Sequence, residues 1–125
     1  LYILSMLKNF SQSEDFRKFI EVETLKIIQK LVEEGETEKE RIQAIARQTL
    51  DLIKPGMNLE QLYQNAVKLD DQYSELAPLV FKIMKEYEEK YEKKALEQVT
   101  WLVKNKQYDQ AEAMVKKVLA FKVNN

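Results

Sequence analysis

Glu86 with Glu89, and Asp109 with Glu112, are the residues whose types and spacing could do chemistry. Carboxylates at i and i+3 share one helix face. Two such pairs on neighbouring helices could hold Mg2+ through hard oxygen ligands and support hydrolysis of a nucleoside triphosphate. Two features count against that chemistry. Asp109 and Glu112 read better as the start of a helix, and lysines interleave the first pair. Residues 85–94 run KEYEEKYEKK, so four Lys balance four Glu and no surplus of negative charge is left for a dication. A Mg-dependent acidic-cluster hydrolase is therefore the last of three readings.

Other chemistry is closed off by composition. The chain has no Cys and no His. That removes disulfides, thiolate metal sites and cysteine nucleophiles, together with the commonest general base and the usual pH switch. Two Gly cannot build a phosphate-cradling loop. No cofactor or metal is expected, and the chain is read as not an enzyme. A net charge of −1 gives no global pull toward nucleic acid or an anionic membrane.

These residues must be positioned by helices. At 125 residues, with 45% hydrophobic and 33% charged residues, the chain has the size and make-up of one globular domain over 1–125. No window alternates as a half-buried strand does, so the fold class is all-α. Capping-box spacing occurs at Ser11–Glu14, Thr37–Glu40, Asn58–Gln61 and Asp109–Glu112. Gly35 suits a helix C-terminus, Lys54-Pro55-Gly56 is a stop, and Pro78 suits a first turn. The expectation is a bundle of about six helices near 2–10, 13–34, 38–54, 58–72, 76–106 and 109–122. The last two form a C-terminal hairpin around one long helix.

The opening LYILSML is too short to span a bilayer, which needs about 20 apolar residues, and lacks the flanks of a signal peptide. Because no Met precedes it, the chain is read as trimmed or processed. Residues 1–10 are expected as a short N-terminal helix, packed on the domain or free to move. Among the apolar stripes, Ile27, Ile28, Leu31 and Val32 share one arc, with Phe19 and Val22 left over to meet the first helix. Ile42, Ile45, Ala46, Thr49, Leu50 and Ile53 form a stripe on the third helix, and Ala111, Met114, Val115, Val118 and Leu119 on the last.

The long helix has apolar ends and a charged middle. There Glu86–Lys90 and Glu89–Lys93 are favourably ordered i,i+4 pairs, and Tyr87 and Tyr91 form the only seam. Tyrosine brings large area at low entropic cost and is enriched where surfaces bind. The leading reading is thus a non-enzymatic helical module for protein–protein interaction or self-assembly, in the cytoplasm. Its partner is another protein or a second copy in a homodimer, met through Tyr87, Tyr91, Lys90, Lys94 and Trp101. The runner-up is a nucleic-acid-associated helical protein using a weak basic patch of Lys104, Lys106, Lys116, Lys117 and Lys122 beside Trp101 and Phe121. The hairpin also resembles one tetratricopeptide unit at Tyr108, Ala111 and Leu119. Its first helix has no small residue for close packing, and no second copy recurs at the roughly 34-residue period, so no family is assigned.

Overall fold

A computed structural model describes residues 2–124, with the side chains of all but residues 92, 95, 117, 118 and 120–124. The described residues are all-α and contain no strand. The helices are α1 (Tyr2–Glu34), α2 (Lys39–Leu52), α3 (Leu59–Ala66), α4 (Ala77–Tyr87), α5 (Lys93–Lys104) and α6 (Tyr108–Asn124). A 3-10 turn at Ser74–Leu76 precedes α4, and a π-helical turn at Glu88–Glu92 carries α4 into α5 without a break. The chain divides into two compact units, residues 1–84 and 85–125.

The expected six helices become five helical runs because the first two are one. Ser13 donates its hydroxyl to the Asn9 carbonyl at 2.8 Å and contacts the Phe10 carbonyl at 3.1 Å, bonds that a serine makes inside a helix. Glu14, expected to close a capping box on Ser11, instead bonds Arg17 at 2.5 Å, and Arg17 reaches on to Glu21 at 2.7 Å. Residues 2–10 are therefore the start of α1, not a separate helix packed on the domain.

In the first unit α1 packs against α2 and α3, with α4 closing the core. Phe16, Ile20, Ile45, Leu62, Leu69, Leu76, Leu79 and Ile83 are fully buried. Glu23, nearly buried on α1, takes hydrogen bonds from Lys26 and Lys82, each at 3.0 Å, and so ties α4 to α1. The two lysines hold its carboxyl below the usual carboxylate range, Lys26 first. Ile27 and Ile28 are half-buried, whereas Val22 and Val32 face solvent. Leu31 of the expected arc is buried, on a row of α1 that also carries Phe16, Ile20 and Thr24. On α2, Ile45 and Thr49 are buried, as is Ile53 just past its end, while Leu50 is exposed.

The turns follow their local chemistry. Gly35 has φ 68° and Gly56 has φ 85°, both left-handed. Pro55 and Gly56 close a turn with the Met57 N–H on the Lys54 carbonyl at 3.4 Å. The Asn58–Gln61 capping box forms in both directions, at 2.8 and 3.0 Å. Thr37 caps nothing, since α2 starts from Glu38 without a side-chain cap. α3 ends at Ala66 rather than 72. Lys68 and Leu69 donate to carbonyls three residues back, tightening the chain, and Gln48 Nε2 donates to the Leu69 carbonyl at 3.0 Å.

In the second unit α5 and α6 form a hairpin. Lys106 occupies the left-handed region at φ 60°. Its N–H reaches the Val103 carbonyl at 3.1 Å and the Gln107 N–H reaches Leu102 at 2.9 Å, the two bonds of a Schellman motif. α6 starts at Tyr108, so Asp109 lies within its first turn rather than capping it, and Glu112 pairs with Lys116 at 3.1 Å. Leu102 and Ala111 are buried at the hairpin contact, Met114 is half-buried, and Val115 and Leu119 face solvent. The side chains of Lys117, Val118, Phe121 and Lys122 lie outside the described residues.

Candidate interaction surfaces

Of the expected aromatic residues, Tyr87 ends α4, Tyr91 lies in the π-helical turn and Trp101 is on α5. Tyr87 and Tyr91 are half-buried, with ring centroids 5.9 Å apart and planes tilted by 41°. A π turn is the kind of helix irregularity that accumulates at functional sites. Glu86 and Lys90 close the expected ion pair at 2.6 Å. Glu89 and Lys93 form no ion pair among the described residues, because this pair starts inside the π turn, where the four-residue spacing no longer stacks side chains as an α-helix does. Lys94 is exposed.

Trp101 is 57% exposed on α5, roughly opposite the half-buried Val99 by helical position. Its ring is thus presented to solvent and does not pack on the tyrosine pair. Lys104 and Lys106 are exposed, and Lys116 is already paired with Glu112. For the carboxylates, Glu86 is engaged by Lys90 and Glu112 by Lys116, and no metal-holding cluster occurs among the described residues.

The first unit has two features that residue spacing alone does not reveal. One is an open groove of about 660 Å³ between α2 and the segment after α3, lined by Glu40, Arg47, Asp51, Lys68 and Asp71 among others. Charges of both signs alternate around it. Beside it, Arg41 makes a two-pronged pair with Glu75, with Nη2 to Oε1 at 2.8 Å, and lies 5.1 Å from the centre of the Tyr73 ring. That guanidinium holds the Glu75 carboxyl far down, at about 2.

The other feature is the N-terminal arm of α1. Every residue from Tyr2 to Ser11 is exposed, and Tyr2, Ile3, Leu4, Met6, Leu7 and Phe10 are 54–78% exposed. Single exposed apolar residues such as Phe81 are ordinary, whereas a run of them on one short helical segment is not. The only signal for it in the sequence is apolar density, and density alone predicts burial. No helix among the described residues is long and apolar enough to cross a membrane.

No family model, curated protein or solved structure matches the chain.

Proposed function

We propose that this chain works by binding, as a helical module for protein–protein interaction or self-assembly, and not by catalysing a reaction. The observation that carries the reading is the arm of α1, where large apolar side chains from Tyr2 to Phe10, about two and a half helical turns, lie open to solvent. A helix apolar over most of its circumference is stable in water when something covers it. The aromatic surface of Tyr87, Tyr91, Lys90, Lys94 and Trp101 is a second contact region on the same reading. Its two half-buried rings are held in a tilted pair, while Trp101, the residue type most enriched in binding hot spots along with Tyr and Arg, stands open.

Site-specific photo-crosslinking in the expressing cell tests this, with the crosslinking amino acid placed at position 10 and, separately, at position 101. Adducts that contain a protein chain are expected, whether a second copy or a different protein. Adducts only to lipid or nucleic acid, or none at either position, would overturn the reading.

A further inference from the structure

We infer that residues 2–10 of α1 are a homodimerisation surface that pairs antiparallel with the same arm of a second copy. This rests on the interaction-module reading and names the partner at one of its surfaces.

At about 3.6 residues per turn the arm is two-sided. Ser5, Lys8 and Asn9 share one side, and the apolar residues occupy the rest of the circumference. Ile3, Met6 and Phe10 fall at alternating spacings of three and four, and the row runs on through Ser13, Ile20 and Thr24. From Ser13 onward those members are buried as α1 packs on α2 and α3. The arm is thus the core-facing row of α1 carried past the end of its cover.

Area and charge choose the occupant. Large rings bring roughly 200 Å² each and aliphatic chains somewhat less, so the five on or beside the row, Tyr2, Ile3, Met6, Leu7 and Phe10, present on the order of 600 Å², near the low end of what one partner contributes to a standard interface. Lys8 is the arm's only charged residue and lies opposite the row of Met6 and Phe10. The apolar side therefore brings no like charges together when it meets itself. A lipid surface fits less well, because interfacial helices carry a strongly basic polar face and this one has a single lysine. Ordering adds little cost, since the arm is already helical as the extension of an anchored helix.

The cover of α1 also fixes the direction. A parallel partner lying on the row would run on into α2 and α3, which occupy that side from Ser13 onward. An antiparallel partner enters from the other end and leads away from the bundle. Centred on Met6, it sets Met6 against its own copy and Phe10 against Tyr2 and Ile3 of the copy.

Light scattering after size exclusion, on the full chain over a concentration series, should give twice the chain mass. Met6→Glu places two carboxylates at the symmetry axis and should weaken the dimer by more than about tenfold. Its circular dichroism should match the native chain at equal monomer content. Lys8→Glu, on the far side, should leave the dimer intact. As the chain has no Cys, Met6→Cys should oxidise to a covalent dimer, whereas Phe10→Cys, well off the axis, should not. Efficient crosslinking at both positions would overturn the antiparallel arrangement. A native monomer at every concentration would overturn the dimer, as would arm protection from hydrogen exchange arising only on phosphatidylserine–phosphatidylcholine vesicles. If the chain is monomeric yet position 10 crosslinks to a different protein, the dimer fails while the module reading stands.

Discussion

Lys106 ends α5 in a left-handed conformation that costs an L-residue about 1–2 kcal/mol and glycine much less. Glycine also loses more backbone entropy on folding, so part of that difference is given back. Lys106→Gly should raise the stability of the hairpin by roughly 0.5–1 kcal/mol, read as a higher denaturant midpoint for α5 and α6. Glu75 is a second residue-scale test. Its folded-state pKa, depressed by Arg41 to about 2, means it binds a proton more readily unfolded than folded. Its stabilising contribution is therefore complete above about pH 4.5 and is lost as pH falls toward 2. The melting temperature should drop across that window, and Glu75→Gln should flatten that part of the profile. An unchanged profile in the variant would show that the pair contributes nothing.

Helix ends show why some elements are legible in the sequence and others are not. Asn58–Gln61 and Ser11–Glu14 have the same spacing, yet only the first is a capping box. Pro55 and Gly56 have already stopped the chain before Asn58. Nothing stops it before Ser11, and Ser13 folds its hydroxyl back onto the helix. Asn58→Ala should therefore cost about 1 kcal/mol, while Thr37→Ala, which removes no cap, should stay within about 0.5 kcal/mol by urea denaturation. The stripe on α2 is readable because period and packing largely agree there, with Ile45, Thr49 and Ile53 buried as expected and Leu50 the exception. The π turn is not readable, since KEYEEKYEKK satisfies ordinary α-helical spacing throughout. The tyrosine pair follows from its i,i+4 spacing. The open arm does not, because apolar periodicity states what should be covered and is silent on whether anything covers it.

The described residues of the two units differ in how much they bury. Residues 1–84 enclose Phe16, Ile20 and Leu62 without solvent contact, and Phe16→Ala should cost about 3–5 kcal/mol. Among the described residues of 85–125, Leu102 and Ala111 are the only buried apolar positions. Those two positions by themselves would leave a segment of about forty residues marginal by burial. Amide hydrogens of α5 and α6 should thus exchange through openings of lower free energy than those of α1 and α4 in the first unit. Equal protection in both would show that the hairpin gains its stability from contacts beyond its own core.

The distribution of chromophores has a practical consequence. Trp101 is the chain's only tryptophan, it stands on the hairpin, and its ring is more than half open to solvent. Its emission should already be red-shifted in the native protein and readily quenched by iodide. Fluorescence followed at that band would report the environment of α5 and pass silently over loss of the core around Phe16. A blue shift on raising the protein concentration would mean that the indole itself is being covered, and it would identify Trp101 as lying inside a contact.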